Sequence, residues 1–220
     1  MKILLAAATA GEIAQTREWL HGRDPGNPVS ENVDICLTGV GLLASAFRLT
    51  KALAYGDYDL VIGAGIAGAF DRSLQLGQCI IVSSEQIADF GAEDGPAFLD
   101  AFDMGLERAD EAPFTGGRLL NSMEGLPAFL TGLPQIAGLT VLKVSGNEPT
   151  IEERLTRYGA GVESMEGAAL HYACLSLGIP FIQLRSISNY VTRRDRSAWQ
   201  LKPAIDGLNS QLTEWLRRLL

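Results

Sequence analysis

Val162-Glu163-Ser164-Met165-Glu166-Gly167-Ala168-Ala169-Leu170 reads as a strand handing over to a helix, with acidic side chains at the handover. The residues after Glu166 are small and apolar and open an apolar helix. In an open α/β sheet such a junction lies at the carboxyl ends of the strands, where ligands bind. The stretch therefore predicts an α/β protein with Glu166 facing a crevice, both carboxylate oxygens free to accept hydroxyl protons. Two adjacent sugar hydroxyls would suit it. A carboxylate in the first turn of a helix is also favoured by the helix dipole alone, and spacing by itself leaves both readings open.

Working outward, the helix predicted from Gly167 runs to about Leu177, with Gly178 and Pro180 as its stop. A strand over Phe181–Ser186 then delivers Arg185, Ser188 and Asn189 to its end. The last helix runs from about Pro203 to Leu220, and Ile205, Leu208, Leu212, Trp215, Leu216 and Leu219 make one apolar face that points to a core. Upstream, Ile151–Tyr158 predicts a short polar helix and Val141–Ser145 a strand closed by Gly146. Residues 105–138 are rich in Gly and Pro and read as an excursion over the site. Gln78–Ser83 is strongly β-forming and precedes a polar stretch, Asp89–Pro96, with Phe98 and Phe102 beyond it.

The amino-terminal half repeats one unit. Ile3–Ala8 reads as a buried strand, Thr9-Ala10-Gly11 as a turn, and Glu12–Leu20 as a helix with Ile13, Thr16, Trp19 and Leu20 inward. Glu12 at the mouth of that strand either caps the helix or enters the crevice; taken alone, the cap is favoured. Val33–Thr38 is a second strand, closed by Gly39 and Gly41. The helix Leu42–Ala54 follows, its apolar face made of Leu42, Leu43, Ala46, Leu49 and Leu53. Asp59–Ile62 returns as a strand ending in Gly63-Ala64-Gly65-Ile66-Ala67-Gly68, read as a glycine-rich turn. It is not a dinucleotide fingerprint, because no helix of usable length follows before Asp71 and no acidic residue ends a matching next strand. Repeated strand, turn and helix units predict a three-layer α/β/α sandwich around a mixed, largely parallel sheet.

The 220 residues suit one domain spanning 1–220. A formal net charge of −8 argues against nucleic-acid or anionic-membrane surfaces and leaves a small molecule as the expected partner. The apolar run at Met1–Ala8 is too short for a signal peptide or a span, so a cytoplasmic protein is expected. Cys36, Cys79 and Cys174 sit apart in apolar runs, and with His21 and His171 the only histidines no zinc spacing emerges. Reduced cysteines and no metal or other cofactor are expected.

Several strand ends carry a polar residue, and Glu12, Glu166, Arg185 and Asn189 in one crevice suggest more than independent caps. Together, Met165-Glu166-Gly167-Ala168-Ala169, Arg185-Ser186-Ile187-Ser188-Asn189, the Gly63–Gly68 run and Glu12 resemble the nucleoside phosphorylase and nucleosidase superfamily. The resemblance covers nearly the whole chain. Within it, Gly146-Asn147-Glu148, Val162–Ala169 and Ser186–Val191 resemble the futalosine hydrolases, which release hypoxanthine from a nucleoside whose 5′ side bears a carboxyphenyl ketone in the alternative menaquinone pathway.

This resemblance implies a nucleoside phosphorylase-like fold and a set of roles. Glu166 binds the ribose 2′ and 3′ hydroxyls, Glu12 orients and deprotonates water, and Arg185 positions that water or Glu12. Met165 and Trp199 line the ribose and base pockets beside Ser164, and Gly65 and Ile66 contribute from the glycine-rich run. Ile66 stands where methylthioadenosine nucleosidases have a serine, so no hydroxyl contact is expected there. Main-chain contacts to the base are placed near Pro149 and Thr150. Phosphorylases of the superfamily carry an arginine for phosphate after the first strand, whereas Glu12 would repel phosphate, so hydrolysis is expected. Adenine-releasing relatives have an aspartate at the position of Asn189; an amide can donate to a 6-oxo group and accept from N7–H, which fits hypoxanthine.

Beyond the resemblance, Arg193, Arg194 and Arg196 follow Asn189, and one of them, Arg193 first, is a candidate for a substrate carboxylate. A solvated basic loop is the alternative. Competing readings are a methylthioadenosine/adenosylhomocysteine nucleosidase, disfavoured by Asn189, a 6-oxopurine phosphorylase, disfavoured by Glu12, and a nucleoside-binding sensor, which would not need Glu12. A homodimer or higher homo-oligomer is expected.

Overall fold

Residues 1–22, 31–95 and 97–220 are described by the computed structural model. Pro96, the last residue of the polar stretch after Gln78–Ser83, lies outside them. Strand β1 (Ile3–Ala7) is buried at every position. Its side chains alternate between two apolar layers, as a strand's period of two requires. Ile3, Leu5 and Ala7 pack with helices α1 (Ala14–His21) and α6 (Leu201–Leu219) through Leu20, Leu208, Leu212, Trp215 and Leu216. Leu4 and Ala6 face α2 (Leu42–Tyr55) and α5 (Gly167–Leu177) through Leu49, Leu53, Leu170, Ala173 and Cys174. At about 1.5–3 kcal/mol for each large apolar side chain buried, these two faces make the three layers.

The other strands are β2 (Val33–Leu37), β3 (Leu60–Ala69), β4 (Cys79–Ile87), β5 (Gly91–Asp94), β6 (Ala97–Asp100), β7 (Leu119–Leu120), β8 (Gln135–Thr140), β9 (Val162–Ser164) and β10 (Phe181–Tyr190). Helices α3 (Ala128–Thr131) and α4 (Glu148–Tyr158) complete the elements used below. Strand β3 organises the sheet. One edge pairs with β10 in parallel from Val61 to Ala69, while the other pairs with β1 at Leu60–Ala64 and then with β9 at Gly68 and Ala69. Since β10 also pairs with β4, β4 with β8 and β8 with β9, the path β3–β10–β4–β8–β9 closes on itself as a small barrel. Strands β1 and β2 extend it beyond β3. The sheet is mixed: β4–β10, β3–β9 and β4–β7 are antiparallel and the remaining pairs parallel.

The structure corrects several expectations. Gly63–Gly68 is not a turn but the middle of β3, and none of its glycines has positive φ. They are needed because other groups lie where their side chains would be. A Cβ on Gly63 would collide with Leu170, one on Gly65 with Arg185, and one on Gly68 would come 3.2 Å from Asn189 Nδ2. The strand read at Val141–Ser145 lies earlier, at β8. Val141 is buried just past its end and Leu142 is exposed. Residues 105–138 pair with β4 through β7 and the first part of β8, and line no part of the cleft described below. Leu43 is 84% exposed, so the buried face of α2 is Ser45, Leu49 and Leu53 instead. Of the cysteines, Cys174 is buried and Cys36 and Cys79 are half-buried, all free. Among the described residues no helix is long and apolar enough to cross a membrane.

Candidate active site

A cleft of about 400 Å³ opens at the carboxyl ends of β1, β3 and β10, floored by Ile66, Ala67 and Gly68 and walled by Glu12, Glu166, Asn189 and Trp199. That volume suits a nucleoside-sized ligand. The topology explains the convergence: β1, β3 and β10 lie side by side and point the same way, so the segments leaving them meet at one end.

Glu12 does not cap α1. The N-cap is Ile13, with no side-chain bond to the helix. The Glu12 carboxylate instead accepts from Thr9 N–H and Thr9 Oγ1, both at 2.9 Å, and from Ile66 N–H at 3.3 Å. Its main chain is held from the far end of the protein. Asn209 of α6 is 1% exposed; its Nδ2 donates to Glu12 O at 2.8 Å and its Oδ1 accepts from Thr16 N–H and Thr16 Oγ1 at 2.9 and 2.8 Å. Nothing in the spacing of the last helix singles out Asn209, because its partners lie about 200 residues away.

Glu166 is the N-cap residue of α5, yet its side chain does not cap the helix. One oxygen accepts from Gly41 N–H at 2.9 Å and the other faces Arg185 Nη1 at 3.8 Å. The expectation that both oxygens are free is therefore corrected: each is oriented, and each keeps a lone pair for a ligand hydroxyl. Gly41 has φ 90°, in the left-handed region open to glycine, and so aims its N–H into the cleft. Arg185 lies within β10 rather than at its end, 5% exposed, and donates to Ile66 O at 3.4 Å while its Nε has no partner. Gly65 leaves room for both groups: a side chain there would strike the Arg185 guanidinium and come 3.1 Å from Glu12 Oε1.

Asn189 follows a register shift in β10, between Ile187 and Asn189. Its Nδ2 donates to Tyr190 O at 3.1 Å, which fixes the amide's orientation, and its Oδ1 faces Ser188 Oγ at 2.8 Å. An amide has two N–H donors and an oxygen with two lone pairs. One donor and one acceptor position therefore remain for the cleft.

Ser164 and Met165 line the cleft as expected, and Trp199 does so under the Arg194 guanidinium, 5.5 Å from the ring centre. Arg193 and Arg194 reach the cleft and Arg196 does not. Among the described residues the Arg193 guanidinium has no partner. Pro149 and Thr150 are brought elsewhere, to the first turn of α4, where Thr150 N–H is spent on the cap oxygen of Asn147. Val144 and Ser145, earlier in that loop, line the cleft instead. Glu163 also lines it, held by Ser145 N–H at 3.0 Å, Ser145 Oγ at 2.7 Å and Arg154 Nη1 at 3.5 Å. Burial pushes its carboxyl above the usual range.

Residues 26–214 match the model of the phosphorylase superfamily. Futalosine hydrolase of Thermus thermophilus is 35% identical over 83% of this chain and 79% of its own. A 5′-methylthioadenosine/S-adenosylhomocysteine nucleosidase of Colwellia psychrerythraea is 32% identical over 72% of this chain and 67% of its own. The crystal structure of such a nucleosidase from that organism, in complex with adenine, superposes with a TM-score of 0.78 at 20% identity, covering 100% of this chain and 96% of the other. The chain belongs to the phosphorylase superfamily, among the nucleosidases related to futalosine hydrolase and methylthioadenosine/S-adenosylhomocysteine nucleosidase.

Proposed function

We propose that this N-glycosyl hydrolase takes futalosine as its substrate and releases hypoxanthine. In the reaction, water oxygen bonds to C1′ of the ribose as the bond from C1′ to the base nitrogen breaks, and that electron pair leaves with the base. The transition state is oxocarbenium-like, so the site must hold the ribose, activate water and receive the departing base. Glu166, oriented by Gly41 N–H and Arg185, takes the 2′ and 3′ hydroxyls. Glu12 takes the proton from water beside Ile66, and its negative charge disfavours a phosphate nucleophile there. Arg185, paired with Glu166 at 3.8 Å, helps position that water.

The observation that carries the base assignment is Asn189, with one donor and one acceptor left after Tyr190 and Ser188. Its N–H meets a 6-oxo group and its carbonyl meets N7–H. The amide retains a proton at N7 but cannot supply one, so that proton comes from solvent. Arg193, unpartnered at the mouth, suits the 5′ carboxylate. The 35% identity to a futalosine hydrolase supports the same reading. A methylthioadenosine nucleosidase is the second reading, and the same residue separates them. In Asn189→Asp, the ratio of kcat/KM for methylthioadenosine to that for futalosine is expected to rise by about 10²-fold or more, since a site built on such hydrogen bonds discriminates strongly. An unchanged ratio would remove the base assignment.

A further inference from the structure

Behind the Glu166 and Arg185 pair lies a buried polar chain that the proposed reaction does not use. Glu85 of β4 is 1% exposed, Thr140 of β8 1%, and Gln183 of β10 and His171 of α5 0%. Room for the Glu85 carboxyl is made by glycines of separate elements: a side chain on Gly167 would collide with it, and one on Gly138 would come 2.7 Å from its Oε1. Thr140 Oγ1 donates to Glu85 Oε2 at 2.9 Å and accepts from Ala168 N–H at 2.7 Å, which links the carboxyl to the first turn of the helix that Glu166 opens.

The donors and acceptors decide the protonation state. His171 Nδ1 lies 3.0 Å from Leu119 O, and a carbonyl only accepts, so Nδ1 carries the proton. Burial lowers the His171 pKa to about 4, so the ring is neutral and Nε2 is an acceptor. The Gln183 amide lies between that nitrogen and Glu85 Oε1, which it meets at 2.9 Å. With the amide nitrogen toward Glu85, Gln183 Oε1 and His171 Nε2 are both buried acceptors with no donor. Leaving such groups unmet is costly. Turning the amide by 180° lets its N–H donate to His171 Nε2 and its oxygen face Glu85, and that contact needs a proton on the carboxyl. Both orphaned acceptors are then matched, in a chain that runs from Leu119 O to Ala168 N–H.

We propose that Glu85 is held as a neutral carboxylic acid that donates to Gln183, and that this neutrality leaves Arg185 to the carboxylates of the cleft. The charged groups that bear on Glu85 are Arg185 of β10 and Glu166 at the start of α5, while Gln183 and Thr140 meet it as neutral partners. Among the described residues no cation lies within ion-pair distance of it; Arg185 pairs with Glu166. Burial raises the Glu85 pKa to about 7. Ionisation above that pH would set a second carboxylate competing for the Arg185 guanidinium, making Glu85 a positioning residue whose proton matters.

The thermodynamic sign follows from the raised pKa. Between the ordinary glutamate range and about pH 7 the folded protein keeps a proton that the unfolded chain loses, so this group's contribution to stability falls as pH rises through that window and is flat above it. Glu85→Gln, which copies the neutral acid, removes the fall. Between pH 5.5 and 8.5 the Tm of Glu85→Gln relative to the unsubstituted protein is expected to gain roughly 4–8 °C. Infrared spectra of the unsubstituted protein at pH 6 are expected to show a buried protonated-carboxyl band that disappears above about pH 7; this needs no variant to fold. The effect on turnover rests on the nucleosidase reading: the fall in kcat above about pH 7 is expected to move to higher pH in Glu85→Gln. The thermal and infrared results stand apart from that reading. Absence of the band at pH 6, or a Glu85→Gln variant that loses relative stability as pH rises, would overturn the proposal.

Discussion

At the scale of single residues, the cleft is built from side chains whose obvious local role is declined. Glu12 and Glu166 both sit at helix starts, where an acidic residue is favoured by the dipole, and neither caps its helix. Each takes backbone N–H groups from a different element instead, Glu12 from Ile66 and Glu166 from Gly41. The sequence shows carboxylates at strand ends, but their targets depend on which strands become neighbours, and spacing does not carry that. A base that activates water acts in the transition state rather than in binding. Glu12→Gln keeps the shape and the Thr9 contact through its oxygen, so kcat is expected to fall by about 10²–10⁴-fold with KM changed little. Steady-state base release measures both, and a fall in kcat below tenfold would separate Glu12 from the chemistry.

At the scale of elements, periodicity revealed the helices and the buried strands, because α1, α2, α5 and α6 each have a buried face and β1 is apolar throughout. It failed where a strand needed glycine. β3 carries Gly63, Gly65 and Gly68 to admit Leu170, Arg185 and Asn189, and a run of glycines reads as a turn until those neighbours are known. The displacement of the Val141–Ser145 strand to β8 has a related cause: Gly138 within β8 makes room for Glu85. The segment between β10 and α6 is the element most open to redesign. It is exposed, it contributes Arg193, Arg194 and Trp199 to the cleft, and Asp195 turns it by accepting from Ser197 N–H at 2.9 Å. Arg193→Met is expected to raise KM for futalosine about tenfold or more, the loss of a charge-assisted pair, and to leave KM for inosine, which lacks the carboxylate, within about twofold. Equal changes for both nucleosides would assign Arg193 to the solvated surface.

At the scale of the whole molecule, function follows from closure of the barrel and from which ends of its strands face the cleft. β1, β3 and β10 run parallel, so Glu12, Ile66 and Asn189 arrive on one side. β9 turns against β3 and brings Glu163 and, just beyond it, Met165 and Glu166 to the same mouth. The last helix, α6, then fastens the first loop through Asn209, which holds the main-chain carbonyl of Glu12. We propose that the cleft is a hydrolytic, hypoxanthine-releasing site. Base release from futalosine, inosine and methylthioadenosine, followed by chromatography with and without phosphate, tests this. Hypoxanthine is expected from futalosine at the same rate in both buffers, and no adenine from methylthioadenosine. Adenine release at a comparable rate would contradict the role given to Asn189, and a strict requirement for phosphate would contradict the role given to Glu12.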